Sequence, residues 1–405
     1  MISLPYTLFT RIPLYADATG AVYADDLWAK DLAFHLTYIA DFRICCPCLP
    51  ATARPEGATV VAGLTPDRII SLQPVKGWKA VIRTLWPNFV QVRRAVRDTR
   101  IVHSGGAGWP FPLSFYILPL RRKRDFQWIM VIESSFWMKP RHGPVSIRQH
   151  LSHAFHRRMI RACMRAADAH IVTQSWYRDI FLDPEAPVHV APAVWIDDGD
   201  ILAAAPDTPK RGTGPARLIF PARLVPDKGV ETVLQAVETF AARHSTEAVP
   251  VLQIDIIGAG PLAERCRNFA AQDHGAVAVR FLDPVPYGAP FFDLIRGYEA
   301  VVLANRQPEQ PRIVFDAFSQ AVPVIASRTP GVETNVIDGH TGWLFAVDDV
   351  IALATLFERV IAQPRNLADM GAAAHKAVAN RTHMRMHKDR EAFLKTRLRL
   401  QADAN

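Results

Sequence analysis

Arg223 and Lys228 stand five positions apart, the first just after an apolar run over residues 218–220 and the second where a helix-like segment opens at Gly229. A Pro226-Asp227 turn separates them. Two cations at a strand end and a helix start suit an anion, because the first helical turn adds unpaired N–H groups and the positive end of its dipole. A diphosphate fits that pattern. A second reading pairs the same cations with Asp227 or Glu231 on a solvated face.

Three other patterns bear on chemistry. Gly258-Ala-Gly260 follows an apolar run over 252–257, precedes a helix-like stretch, and has Asp283 twenty positions beyond Ala263. That is the spacing of a dinucleotide fingerprint, so an NAD- or FAD-dependent oxidoreductase is a rival class. Pro261 counts against it, since it removes an N–H where the fingerprint wants donors. Cys45-Cys46-Pro47-Cys48 contains a C-x-x-C spacing, but no second Cys/His pair at ligand spacing accompanies it, so core thiols are expected. Asp197-Asp198 and Asp25-Asp26 read as a loop and a helix start, not as metal ligands.

At 405 residues the chain exceeds what one core ordinarily holds, and 49% hydrophobic residues can fill two. No apolar run reaches the roughly 18 residues a membrane span needs. Residues 1–10 show neither a basic n-region nor a cleavage site, so a cytoplasmic location is expected. The net charge of +8 is uneven: residues 1–200 hold 24 Lys and Arg against 17 Asp and Glu, and the remainder 23 against 22. Basic clusters, Arg93-Arg94 with Arg97 and Arg100, then Arg121-Arg122-Lys123-Arg124, lie near Trp86, Phe89, Trp109, Phe111 and Phe115. Cations beside aromatics suit peripheral docking on an anionic membrane surface, here the inner face. Nucleic acid is the less expected partner, and a solvated basic face over a core is the plain alternative.

Strand-like and helix-like runs must position these groups. Strands are expected at 43–47, 100–103, 128–132, 170–173 and 188–191, then at 217–220, 252–257, 277–282, 300–304, 322–326 and 341–344. Helices are expected at 26–40, 78–97, 148–167, 175–182, 229–244, 261–272, 291–297, 313–320, 348–361 and 367–379. The alternation predicts an α/β protein with two doubly wound parallel-sheet domains, 1–200 and 217–381. Residues 201–216, rich in Pro, Gly and Thr, read as the linker, and 382–405 as a basic helix that packs back on the first domain. Open parallel sheets bind ligands beyond the carboxyl ends of their strands.

The second half resembles the retaining, nucleotide-sugar-dependent glycosyltransferases of family 4 (glycosyl transferases group 1). The matching stretches are the Arg223/Lys228 segment, Ile-Asp-Ile-Ile-Gly-Ala-Gly-Pro from Ile254, and Gln-Pro-Arg-Ile-Val-Phe-Asp-Ala-Phe-Ser-Gln-Ala-Val-Pro from Gln310, followed by Pro-Gly-Val and Asp-Gly-His-Thr-Gly. The resemblance implies a GT-B fold, two Rossmann-like domains facing each other across a cleft. It implies transfer of a sugar from a UDP-, GDP- or ADP-sugar to a carbohydrate or lipid-linked acceptor, as in surface polysaccharide or glycolipid assembly.

It also implies roles. Arg223 and Lys228 hold the donor diphosphate and neutralise the leaving group, so no bound metal or other cofactor is expected. Asp316 takes the place of the acid that binds the ribose hydroxyls. The partner acid of that motif would fall on Pro308; Glu309, one place late, substitutes for it, or backbone N–H groups of Gln310, Arg312 and Ile313 do. Val285 falls in the donor-binding set. In the first half, His103 matches a histidine facing the donor sugar, and Gly20 offers one glycine for the loop under the diphosphate. Glu133 and Ser175 are acceptor-side candidates. The altered acid motif leaves a second alternative, a nucleotide-sugar-binding protein without turnover.

Overall fold

The computed structural model describes residues 1–134, 138, 145–206 and 214–400. The chain forms two compact units, the first built from described residues up to Pro192 and from Met384 onward, the second from Ala193–His383. The first body thus ends at Pro192 rather than at residue 200. The cause is local: Val194 and Ile196 are buried in the second unit's core, and the Ala193 amide donates to Gln310 Oε1 at 2.8 Å. Part of the expected linker, 207–213, lies outside the described residues.

The first unit runs β1 (Tyr6–Phe9), β2 (Leu14–Ala16), β3 (Val22–Asp25), α1 (Asp26–Tyr38), β4 (Phe42–Pro50), β5 (Ala58–Val60), β6 (Ile69–Leu72), α2 (Gly77–Arg97), β7 (Ile101–Gly105), α3 (Ser114–Ile117), β8 (Gln127–Ile132), α4 (Ile147–Ala166), β9 (Ala169–Val172), α5 (Trp176–Phe181) and β10 (His189–Val190). Its sheet order is β10-β9-β8-β7-β1-β4-β2-β3-β5, with β6 also on β4. Pairing is parallel except for the antiparallel β2–β3 and β3–β5 pairs, which the expectation of a wholly parallel sheet did not include. Strand β1 lies at the centre, between β4 and β7, and pairs Leu8 with His103. Its four residues are all buried, so the pleat leaves no polar alternation to betray it.

The second unit runs β11 (Ala216–Pro221), α6 (Val230–Arg243), β12 (Leu252–Ile257), α7 (Ala263–Ala270), β13 (Val277–Leu282), α8 (Ala289–Arg296), β14 (Ala300–Leu303), α9 (Ile313–Ser319), β15 (Val324–Ser327), α10 (Pro330–Glu333), β16 (Gly342–Phe345), α11 (Val350–Ala362) and α12 (Pro364–Val378). All its strands are parallel, in the order β13-β12-β11-β14-β15-β16, the doubly wound arrangement whose order reverses between β11 and β14. Two apolar clusters cover the sheet's faces: Phe220, Phe240 and Trp343 belong to one, Phe315, Phe318 and Tyr298 to the other.

Helix α13 (His383–Arg397) then returns to the first unit, where Leu394 and Leu398 join the core beside β1 and β4. Cys45 and Cys46 are buried on β4 and Cys163 on α4, all as free thiols. Burial pushes the Cys46 and Cys163 thiols up, the latter to about 12. That makes poor nucleophiles and agrees with core thiols.

Candidate active site

In the second unit, β11 delivers Arg223 into a short loop, and a single 3-10 turn, Pro226–Lys228, carries Lys228 to the start of α6. Gly229 follows at φ 68°, the left-handed region, and a Cβ there would collide with the Ala304 carbonyl oxygen after β14. The turn is braced from the same side, because the Arg306 amide donates to the Asp227 carbonyl at 2.9 Å. Arg306 in turn pairs with Asp348 at 2.7 Å, and Asp348 accepts from Thr232 on α6.

Arg223 is exposed and Lys228 half-buried. Among the described residues neither forms an ion pair; Glu231, the suggested partner, is engaged with Arg265 at 3.1 Å. The solvated-face pairing is therefore not what the structure shows. Burial lowers the Lys228 ammonium below its ordinary range, Glu309 opposes that, and Arg223 reinforces it. A second negative group at this turn would relieve both the burial and the repulsion.

Glu309, Gln310, Arg312 and Ile313 lie at the approach to α9. Glu309 is half-buried, and the carbonyl of Glu309 packs where a Cβ on Gly331 would sit. Gln310 spends its side chain on structure: besides the bond from Ala193 it donates weakly to the Pro311 and Ala193 carbonyls. Arg312 is exposed and stacks over Trp195, 5.6 Å from the ring centre. Asp316 is not an open carboxylate. It is 5% exposed and accepts from the Tyr287 hydroxyl at 2.8 Å. Burial raises its carboxyl to about 7, against the opposing effects of Tyr287 and Arg312. Val285 stands exposed in the same loop as Tyr287, before α8. Tyr287 had no sequence signal, because a tyrosine in a Pro- and Gly-bounded loop resembles any other.

The glycine pair has a purpose other than a cofactor. Gly258 and Gly260 adopt φ 148° and 150°, and Cβ atoms there would collide with the Ala222 and Leu224 carbonyls. The Leu224 amide donates to the Ala259 carbonyl at 2.8 Å, and the Leu262 amide to the Leu224 carbonyl at 3.0 Å. The glycines let one loop press against the backbone that carries Arg223, which removes the case for a dinucleotide site.

In the first unit, a cavity of about 300 Å³ opens at the ends of β1 and β7. His103, Glu133, Arg11, Asp31, His35 and Arg390 line it. His103 is 5% exposed, and its Nδ1 lies 2.6 Å from the Tyr6 hydroxyl. Burial holds its imidazole well below the ordinary range, with His35 and Arg390 adding to the effect, so it is neutral.

Helix α13 completes this cavity, which the sequence did not reveal. His387 Nε2 lies 3.1 Å from Asp31 Oδ1, and Arg390 Nη1 lies 3.1 Å from His35 Nε2. Asp31, His35 and His387 come within metal-ligand reach of one another, but their ring nitrogens are engaged and a buried guanidinium adjoins them, which opposes a cation. Gly20 and Ser175 are placed elsewhere. Gly20, at φ 86°, closes the β2–β3 hairpin with its amide on the Asp17 carbonyl, and Ser175 caps the six-residue α5; neither lines the cavity. Gly20 is therefore a turn residue, and the glycines that border the cavity are Gly105, Gly106 and Gly108.

Comparison with known proteins agrees with this architecture. Residues 205–377 match the family model of glycosyl transferases group 1. A GDP-mannose-dependent α-(1-6)-phosphatidylinositol monomannoside mannosyltransferase of Mycolicibacterium smegmatis is 28% identical over 226 residues, 51% of this chain and 56% of that protein. A D-inositol 3-phosphate glycosyltransferase of Corynebacterium diphtheriae is 29% identical over 169 residues, 41% of this chain and 39% of that protein. The chain thus spans only about half the length of these relatives or less. Among solved structures, sucrose-phosphate synthase from Thermosynechococcus elongatus superposes with a TM-score of 0.68 at 18% identity, covering 97% of this chain and 98% of that one. The lipopolysaccharide outer core galactosyltransferase WaaB superposes at 0.64 and 14% identity, covering 97% and 100%. The chain has the GT-B fold of the glycosyltransferases. Its second unit resembles the glycosyl transferases group 1 family.

Proposed function

We propose that this protein is a retaining glycosyltransferase that moves a sugar from a nucleoside-diphosphate donor to an acceptor hydroxyl. The observation that carries the reading is the pair Arg223 and Lys228, two cations on one braced turn with no ion pair among the described residues. The bond between the anomeric carbon and the diphosphate oxygen breaks, and these two side chains neutralise the charge that develops on the leaving group. That supplies electrostatically what a metal would otherwise supply. Asp316, held by Tyr287, takes the ribose hydroxyls, and Glu309 with the α9 amides takes the donor sugar. His103, neutral and buried, lines the first unit's own cavity. Retention of configuration rests on the family resemblance. A GDP-mannose-dependent relative and neighbours solved with UDP and UDP-glucose support a nucleotide sugar as donor and leave the base open.

The acceptor side of the proposal is a membrane-borne or carbohydrate substrate. Trp78, Ile82 and Trp86 on α2 and Ile147, Leu151 and Phe155 on α4 recur every four residues and are 51–79% exposed. Lys76, Lys79, Arg83, Arg148, Arg157 and Arg158 are also exposed around them. Apolar stripes edged by cations fit the surface of an anionic bilayer on the cytoplasmic side. No helix among the described residues is long and apolar enough to cross a membrane.

The test is nucleotide release from a panel of UDP-, GDP- and ADP-sugars. Wild type turns over at least one, and EDTA leaves the rate unchanged. Lys228→Ala folds and loses roughly 100-fold or more, the scale of one electrostatic donor. Binding of a nucleotide sugar without release by wild type, or full turnover by Lys228→Ala, contradicts the reading.

A further inference from the structure

The carboxylate in the first turn of α9 is satisfied on one side only. Asp316 is 5% exposed, and its Oδ1 accepts from the Tyr287 hydroxyl at 2.8 Å. Oδ2 takes no hydrogen bond among the described residues and is not closed off from solvent. An aspartate holds its carboxylate one methylene nearer the helix than a glutamate would. A second polar group beside it extends its reach, and Tyr287 is that group.

Tyr287 comes from the loop between β13 and α8 and is 42% exposed. Its ring meets Phe292 of α8 edge-on, 5.5 Å between centres, and lies beside Phe291 at 6.1 Å. Phe292 is buried in the second unit's core, so the packing of α8 fixes where the phenol stands. The hydroxyl gives its one proton to Asp316 and keeps its lone pairs, which accept nothing among the described residues. Arg312 and Asp200 are charged groups that act on both residues, and neither is hydrogen-bonded to them among the described residues.

Two open acceptors therefore stand side by side, the Tyr287 oxygen and Asp316 Oδ2, with Oδ1 between them. Acceptors so paired match two hydroxyls on neighbouring carbons, which present two donors together. We propose that Tyr287 is a specificity-determining residue of the donor site: its oxygen and Asp316 Oδ2 form a clamp that accepts the two vicinal hydroxyls of a nucleotide's ribose, one each. That the diol is a ribose rests on the transferase reading of Asp316; the pairing of the acceptors does not.

The experiment is calorimetric titration at pH 8, above the value of about 7 to which burial lifts the Asp316 carboxyl, so that the carboxylate is ionised. The ligands are UDP, GDP and ADP, with the 2′-deoxy and 3′-deoxy counterparts of whichever binds. Wild type binds the ribonucleotide more tightly than either counterpart, by about tenfold or more where the missing hydroxyl faces the carboxylate and by about three- to tenfold where it faces the phenol. Tyr287→Phe weakens the ribonucleotide about threefold or more and shrinks the smaller of the two penalties to within about twofold, while the larger persists. A purely structural tyrosine would instead shift all three ligands alike. Equal loss for all three, tighter binding by Tyr287→Phe, or a variant that keeps both penalties overturns the proposal. Should Tyr287→Phe fail to fold, wild type decides: a penalty for both deoxy counterparts supports the clamp, and a penalty for one or neither overturns it. Binding that Lys228→Ala weakens but that ignores both ribose hydroxyls keeps the transferase reading and overturns the clamp. Both penalties with affinity untouched by Lys228→Ala do the reverse. Wild type that binds none of the three nucleotides contradicts that reading and the clamp with it.

Discussion

In the second unit Arg223 is exposed and Lys228 half-buried on a turn, and neither has an ion pair among the described residues. In the first unit Asp31, His35, His387 and Arg390 are buried and bonded to one another. These two cations remain available to a ligand, and a nearby glycine and a backbone hydrogen bond fix the turn that carries Lys228. The first unit's buried groups have spent their hydrogen bonds largely on one another, which ties α13 to α1. One region is a braced turn whose cations have no ion pair among the described residues, and the other a preformed cavity whose polar groups are bonded to one another.

The contrast has a pH signature. In the second unit, burial raises Asp316 to about 7, so the folded state holds a proton that the unfolded chain releases near its ordinary value of 3.8. Stability there falls as pH rises between those values. In the first unit, burial depresses His387 to about 3 and His103 well below its ordinary range, so the unfolded chain takes up protons the folded one refuses. Stability there falls as pH drops below about 6.5. Hydrogen exchange read by mass spectrometry should show the first unit opening on acidification and the second loosening toward pH 8. Asp316→Asn should stabilise the second unit at pH 8 by about 1–3 kcal/mol relative to its effect at pH 4. A shared pH trend in both units would break the comparison.

A smaller effect separates the surfaces. Ile82→Glu with Trp86→Glu on α2 should weaken binding to vesicles of phosphatidylcholine and phosphatidylglycerol about tenfold, with melting changed by no more than about 0.5 kcal/mol. The same vesicles should not discriminate between wild type and Lys228→Ala. Equal vesicle binding by the α2 variant and wild type would remove the membrane reading.

The second unit was largely legible in the sequence because each of its strands is an apolar run bounded by turn residues and followed by an amphipathic helix. All six expected strands there are present, two with the expected bounds and four with ends shifted by a residue or two. The first unit was less so. Its central strand β1 is four buried residues beginning at Tyr6, too short to carry a period, and β2, β3, β5 and β6 are as short or flank the hairpin. Gly20 was read as a glycine of the loop under the diphosphate, and only the fold could say that it closes a hairpin instead of bordering the cavity. Arg11 and Arg390 were out of reach for another reason. They are 379 positions apart in the chain and meet one cavity only because α13 crosses back to the first unit. Arg121, read as part of a basic surface cluster, is instead bonded to both oxygens of Asp168 at 2.8 and 2.9 Å. The clustering of cations was visible; which of them already had a partner was not.

The measurement that tests the central claim most directly is calorimetric binding of UDP and GDP to wild type, Arg223→Ala and Lys228→Ala. At least one of the two nucleotides should bind wild type, and each substitution should weaken it about tenfold or more, the worth of one charge-assisted contact to a phosphate. Affinity that both variants retain in full would contradict the account.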